Sequence, residues 1–155
     1  MTENISLRFA EEKDIPVIFS LIKELAEYEK LLDKVTVTEE RLKENLFGKR
    51  KYAEVIIAEL DGKPAGQALF FHNFSTFMGK PGIYLEDLFV KPEFRGKGIG
   101  KALLRKLIEI AKERNCGRVE WVVFDWNKPA IDFYKKLGAV EMSGWLIYRL
   151  NEDKF

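Results

Sequence analysis

The sequence predicts a mixed α/β fold in which helices pack on a sheet. Helical and strand-like patterns follow one another in the order helix, helix, hairpin, strand, helix, strand, helix, strand, which is typical of helices layered on a mixed sheet. The 155 residues contain no internal repeat, linker or low-complexity tract, so one domain spanning residues 1–155 is expected. A composition that is 46% hydrophobic and 33% charged is typical of a globular chain.

Two amphipathic helices are predicted in the N-terminal third. Asp14 is a candidate N-cap for the first helix, and Pro16 falls in its first turn, where proline is tolerated. A second helix is predicted to begin near Thr38 and to end at Gly48. The first helix has one apolar face with helical spacing, formed by Ile15, Ile18, Phe19, Ile22 and Ala26.

The middle of the chain has strand character. Residues 52–60 are rich in Val, Ile and Ala, and the Asp61-Gly62 pair that follows is a strong hairpin signal. Residues 65–74 are the predicted return strand. A further strand over residues 83–90 ends at Lys91-Pro92, because proline cannot continue a hydrogen-bonded ladder.

The C-terminal half alternates helix and strand again. A helix over residues 99–114 carries a broad apolar face suited to a sheet, and residues 119–124 are predicted as a buried strand. A last helix over residues 129–137 ends at Gly138, and residues 145–150 are predicted as the final strand.

Charge and composition exclude several classes of protein. With 26 basic and 25 acidic residues the net charge is +1, so a nucleic-acid partner is not expected. One cysteine, Cys116, and one histidine, His72, cannot form a standard zinc site or a disulfide framework, so no metal is expected. The N-terminus lacks an apolar signal region and no run approaches about 18 apolar residues, so we expect a cytoplasmic protein without a membrane partner.

The most informative segment is the glycine-rich stretch between the strand at 83–90 and the helix at 99–114. Glycines allow the backbone close approach to a ligand, and the N-terminus of the helix that follows suits an anion such as a diphosphate. A phosphate-binding P-loop is excluded, since Arg95 stands where its first glycine belongs and Ala102 where its hydroxyl belongs. The glycine spacing also excludes the dinucleotide fingerprint.

Two motifs instead resemble those of the GNAT superfamily of N-acetyltransferases. Residues 95–100 match the Arg-x-x-Gly-x-Gly loop for the acyl-CoA diphosphate, and residues 126–138 match the second coenzyme motif except for Ala139 just after it. The resemblance implies acetyl-CoA as cosubstrate, with Asn127 beside the pantetheine arm and Tyr134 near the sulfur. It also implies a mostly antiparallel twisted sheet, splayed at the acetyl-CoA site and flanked by about four helices. The implied coenzyme-binding residues are Leu88, Phe89, Val90, Arg95, Gly96, Lys97, Gly98, Ile99, Gly100, Lys101, Asn127, Pro129, Ala130, Phe133 and Tyr134.

Finer similarity, over about residues 7–150, is to the diamine (spermidine/spermine) and thialysine N-acetyltransferases. Residues 21–29, 84–87 and 144–145 carry it. The chain departs from many of these relatives in its compact hairpin at residues 61–64 and in a shorter stretch before Gly144. The resemblance implies a homodimer that acetylates a small primary amine, a polyamine, a diamine or a thialysine-like compound, by direct transfer in a ternary complex.

The reaction requires two proton transfers, for which the family match supplies candidates. An amine with a pKa of about 10.4 must lose a proton before it attacks, and the departing thiolate must gain one. Glu86 is the candidate base and Tyr134 the candidate acid, while a backbone N–H of Leu88 or Phe89 is the expected oxyanion donor. The candidate substrate-binding residues are Glu27, Tyr28, Glu29, Glu86 and Asp87.

Other interpretations stay open on sequence grounds. Glu86 and Asp87 can also be a solvated strand end, Tyr134 a half-buried core phenol, and Glu27 and Glu29 an ordinary polar helix face. Two alternative functions remain: acetylation of a peptide or protein, and a non-catalytic acyl-CoA-binding module. Cys116 beside a helix-ending turn is not expected to act as a nucleophile.

Overall fold

The computed structural model describes residues 3–155, and their elements confirm the predicted mixed α/β class. The chain divides into two compact units, a first that ends at Trp121 and a second that spans Val122–Phe155. The first unit contains β1 (Ile5–Phe9), α1 (Ile15–Tyr28), α2 (Glu39–Phe47), β2 (Glu54–Leu60), β3 (Lys63–Ser75), β4 (Lys80–Val90), α3 (Ile99–Glu113) and β5 (Val119–Glu120). The second contains α4 (Lys128–Lys136).

The sheet of the first unit is open and mostly antiparallel. Its strands lie in the order β1-β2-β3-β4-β5, and only the last pair, β4 with β5, is parallel. The parallel ladder joins just two residues of each strand, Ile83 with Val119 and Tyr84 with Glu120. Since no further β5 pairing is described, this edge of β4 is open from residue 85 to residue 90, as expected for a sheet splayed at a ligand site.

The core lies on both faces of the sheet. Successive strand residues point to opposite faces, yet Ile56 and Ile57 of β2 are both fully buried. On one face Ile57 belongs to a cluster formed with the apolar sides of α1 and α2. Helix α3 contacts all five strands and buries residues such as Leu103 and Leu107 completely. The two layers hold β4 and the loop after it in place.

The start of α1 is tied to β1 by an ionic network. Asp14 occupies the predicted N-cap position, but its side chain does not cap the helix. Its two oxygens instead accept hydrogen bonds from Arg8 at 2.7 and 2.9 Å, and one oxygen also accepts from the N–H of Glu11 at 2.7 Å. Arg8 reaches Glu59 of β2 as well. The carboxyl of Asp14, which is only 5% exposed, is therefore neutralised and hydrogen-bonded.

Three sequence predictions of the elements were wrong or incomplete. Strand β1 was not predicted, although it pairs along its whole length with β2. The strand at 119–124 is only Val119–Glu120 and is half-buried, because its pairing with β4 stops at Glu120. Residues 145–150 form no strand. No strand lies within the second unit to receive their backbone hydrogen bonds, and Trp145 and Tyr148 there are 79% and 90% exposed.

No helix within residues 3–155 is both long and apolar enough to span a membrane.

Candidate active site

The glycine loop leaves β4 and opens α3 in a conformation that few residues other than glycine can adopt. After a short 3-10 turn, Gly96 and Gly98 have φ angles of 78° and 85° in the left-handed region, and Gly98 is the N-cap of α3. No atom lies within 4 Å of the point where a Cβ would stand on either glycine. Ile99, only 1% exposed, anchors the first turn of the helix in the core.

This loop fits an anion such as the diphosphate of a coenzyme. Its open side offers the first N–H groups of a 15-residue helix, which have no partner inside the helix, and the positive end of the helix dipole. Lys97 and Lys101 add positive charge, and Lys97 pairs with Glu3 at 2.5 Å. The space that the absent Cβ atoms would fill is where a phosphate could approach the backbone.

Arg95, the first residue of the motif, does not extend into solvent as a simple surface cation. Its Nε atom donates a hydrogen bond to the carbonyl oxygen of Val90 at 3.0 Å. Its guanidinium carbon lies 4.9 Å from the ring centroid of Tyr28 and 5.5 Å from that of Phe89. The side chain thus connects the loop both with β4 and with the end of α1.

Strand β4 contains a β-bulge at the candidate base. Leu85 pairs with Phe70 and Asp87 pairs with Leu69, so Glu86 is the extra residue without a partner across the ladder. A bulge bends a strand and changes the direction of its side chains, and bulges are common beside active sites. Glu86 is exposed, whereas Asp87 and Leu88 are half-buried and Phe89 is buried.

The surroundings of Asp87 disfavour its ionised form. Burial, together with the nearby charges of Glu86 and Glu29, raises the pKa of its carboxyl to about 6. Burial also raises the pKa of Glu29. Carboxylates that repel one another are stabilised when a cation binds among them, so this group suits an ammonium ligand.

The end of α1 supplies the other acidic residues. Tyr28 is the last residue of the helix, with Glu27 exposed just before it and Glu29 half-buried just after it. Helix α1 contacts β4, and the charge of Glu29 contributes to the raised pKa of Asp87. The predicted polar helix face and the predicted acidic strand end therefore belong to one acidic cluster, which we define as Glu29, Glu86 and Asp87.

The remaining predicted site residues lie in the second unit. Asn127 caps α4 by accepting a hydrogen bond from the N–H of Ala130 at 3.4 Å, and Pro129 lies in the first turn of the helix. The rings of Phe133 and Tyr134 are neighbours, with centroids 5.6 Å apart. The sequence predicted this helix within one residue at each end, but not the cap at Asn127.

Sequence reasoning missed two features of the first unit. The stacking of Arg95 on Tyr28 joins residues far apart in the chain, and no local pattern signals it. The bulge at Glu86 is likewise invisible to period-2 alternation, because it depends on the register of β3. Within residues 3–155 no group of three or more His, Cys, Asp or Glu side chains could hold a metal ion.

Comparison with known proteins identifies the family. The family described as "Acetyltransferase (GNAT) family" matches residues 18–139. The chain belongs to this family. The fold is therefore that of a GNAT N-acetyltransferase, and acetyl-CoA is the cosubstrate.

Individual relatives cover nearly the whole chain. A thialysine N-epsilon-acetyltransferase from Bos taurus is 41% identical over 96% of this chain and 94% of its own length. An L-ornithine N5-acetyltransferase from Arabidopsis thaliana is 31% identical over 95% of this chain and 84% of its own length. Among solved structures, an integron cassette protein of V. cholerae has a TM-score of 0.80 at 27% identity, covering 97% of this chain and 94% of that one.

Proposed function

We propose that this GNAT enzyme acetylates a primary amine of a small cationic compound, a thialysine-like amino acid or a polyamine. The observation that carries the proposal is the acidic cluster on β4 and α1, placed on the same strand that leads into the acetyl-CoA loop. An ammonium group relieves the repulsion among these carboxylates, and a basic loop suits the diphosphate. The relatives named for thialysine and L-ornithine, both amino acids with a side-chain amine, support the same substrate class.

Glu86 and Tyr134 are proposed to move the two protons. Acetyl-CoA supplies the acetyl thioester. Glu86 accepts a proton from the ammonium group, directly or through one water, so that the nitrogen lone pair can form the new C–N bond. A backbone N–H of Leu88 or Phe89 stabilises the negative charge on the carbonyl oxygen. As the C–S bond breaks, Tyr134 donates its phenolic proton to the sulfur. The nitrogen releases its second proton to solvent, and Tyr134 recovers a proton from solvent.

The remaining assignments complete the proposal. The coenzyme diphosphate is bound by the backbone of residues 95–101, with Leu88, Phe89 and Val90 beside the pantetheine arm together with Asn127, Pro129, Ala130 and Phe133. Glu27, Glu29 and Asp87 recognise the amine. We propose that both compact units form one catalytic domain, which the family match across their boundary supports. A cytoplasmic homodimer is part of the same proposal, and the exposed apolar residues of the second unit favour association.

Thiol release from acetyl-CoA, with mass detection of the product, tests the function. Thialysine, ornithine, spermidine and diaminopropane are each offered beside lysine-containing peptides. Acetylation of one of the small amines at the highest kcat/KM is expected. Faster turnover of the peptides would favour a protein acetyltransferase, and coenzyme binding without any turnover would favour an acyl-CoA-binding module.

The roles of Glu86 and Tyr134 are tested by Glu86→Gln and Tyr134→Phe. Each variant is expected to lose about 10- to 1000-fold in kcat, because removing a general base or acid costs in this range. The affinity for CoA, measured by calorimetry, should stay within about threefold of the parent. Unchanged turnover in both variants would contradict the assigned roles.

A further inference from the structure

The side chain of Arg95 is positioned between the coenzyme loop and the amine-recognition residues. Its guanidinium stacks at 4.9 Å on Tyr28, the last residue of α1, and at 5.5 Å on Phe89 of β4. The bond from its Nε to the Val90 carbonyl, at 3.0 Å, holds the root of the side chain against the strand. One planar cation therefore contacts the two elements that carry the acidic cluster.

The outer end of Arg95 is open to an anion. The residue is exposed, and within residues 3–155 its two Nη atoms have no described hydrogen bond and no carboxylate partner. A guanidinium binds phosphate with high geometric specificity through such paired N–H groups. A diphosphate in the adjacent loop can thus fix the plane of Arg95.

Tyr28 is the neighbour in the chain of one member of the acidic cluster. Glu29 follows Tyr28 directly, and its carboxylate is close enough to Asp87 to act on it electrostatically. The Tyr28 ring face that Arg95 occupies is not available to a substrate ammonium. Tyr28 is in this respect a support for Glu29 rather than a ligand of the amine.

We infer that Arg95 is a positioning residue that couples the two substrates, because its stacking on Tyr28 lets bound coenzyme order Glu29 against Asp87 for the amine. The inference rests on the proposed function and deepens it. Coupling between two ligands is reciprocal, so amine must tighten CoA binding by the same factor as CoA tightens amine binding. A cation–π contact of this kind supports a coupling of about 3- to 10-fold.

A four-way binding measurement tests the inference. Calorimetry gives the Kd of thialysine with and without saturating CoA, and the Kd of CoA with and without saturating thialysine. In the parent, each ligand should tighten the other by about 3- to 10-fold. In Tyr28→Leu, which removes the ring, the coupling should fall to about onefold.

Matched variants separate the proposed coupling through Tyr28 from other roles of this residue. Tyr28→Phe keeps the ring face and should keep the coupling. Arg95→Lys keeps the charge but loses the planar guanidinium, so it should lose the coupling. The double variant Tyr28→Leu/Arg95→Lys should lose no more coupling than either single variant. Equal weakening of thialysine binding with and without CoA in Tyr28→Leu would show direct contact and overturn the inference. Loss of coupling in Tyr28→Phe would also overturn it.

The two proposals fail in different measurements. Absence of amine turnover in the parent contradicts the proposed function. A parent that acetylates thialysine but shows no CoA–thialysine coupling, or a Tyr28→Leu variant that keeps it, contradicts the inference alone.

Discussion

At the scale of single residues, two glycines decide whether the loop can receive the coenzyme. Gly96, Gly98 and the hairpin residue Gly62 all have φ angles between 78° and 85°, and no atom lies near the missing Cβ of any of them. They are equally strained by alanine in the free protein. They differ only in their position relative to the proposed diphosphate site.

Gly96→Ala and Gly98→Ala are therefore expected to raise the KM for acetyl-CoA by at least about tenfold, because the Cβ occupies the approach of the phosphate and shifts the backbone. Gly62→Ala is the matched control. All three variants should lose about 1–2 kcal/mol of unfolding free energy from left-handed strain, measured by urea denaturation. A Gly62→Ala variant with an equally raised KM would contradict the loop assignment.

Asp87 predicts a pH dependence. Its pKa is raised to about 6, so it is ionised at pH 7.5 and becomes protonated as the pH falls through 6, which removes its attraction for an ammonium group. We expect kcat/KM for thialysine to fall below pH 6. The corresponding fall in kcat should occur at a lower pH, because the bound cation lowers the pKa of Asp87 in the complex.

Asp87→Asn should remove this fall in kcat/KM below pH 6 and should lower kcat/KM at pH 7.5. Glu27→Gln, at an exposed position near the end of α1, should retain the fall below pH 6. The raised pKa means that ionising Asp87 opposes folding as the pH rises through 6. The Asn variant should thus melt no lower than the parent at pH 7.5. A flat kcat/KM profile between pH 5 and 8 in the parent would exclude Asp87 from amine binding.

At the scale of elements, the network of Arg8, Asp14 and Glu59 fixes the start of α1 against β1 and β2. Arg8→Met leaves the buried Asp14 carboxylate without its cation and should cost about 2–3 kcal/mol at pH 7. Lys34→Met removes only the exposed pair with Asp33 and should cost less than about 0.5 kcal/mol. Urea denaturation measures the free energy of unfolding of both variants. Equal losses would show that the buried network stabilises the fold no more than an exposed ion pair does.

The same network predicts how acid weakens the fold. Arg8, by hydrogen bonds to its carboxyl, holds the pKa of Asp14 below its ordinary value. Its contribution to stability is therefore present above the unfolded pKa of about 3.9 and is lost as the pH falls through the lower folded value.

Elements with local signals were predictable from the sequence. The Asp61-Gly62 hairpin, the helix that begins near Thr38 and the last helix each depend on local residues, and the structure places them as expected. Strand β1 has only five residues and is defined by its pairing with β2, so no local pattern distinguishes it. Residues 145–150 have a strand-like local pattern but form no strand, because an apolar run without a partner strand cannot form the backbone hydrogen bonds of a sheet.

At the scale of the whole molecule, the sequence predicted the fold class and the family. It could not predict that Glu29 on α1 acts electrostatically on Asp87 on β4, nor that Arg95 lies over Tyr28, since both depend on tertiary packing of the sheet and helices. In the proposed function these long-range contacts contribute to the selection of the amine.

The central claim is direct transfer of acetyl from acetyl-CoA to a small cationic amine. Single-turnover mixing of the purified chain with isotopically labelled acetyl-CoA, followed by intact-mass spectrometry, tests it most directly. Without amine the protein mass should stay unlabelled, and on addition of thialysine or spermidine one labelled acetyl group should appear on the amine. A labelled protein that forms before the amine is added, or an amine that stays unlabelled throughout the panel, would contradict the account.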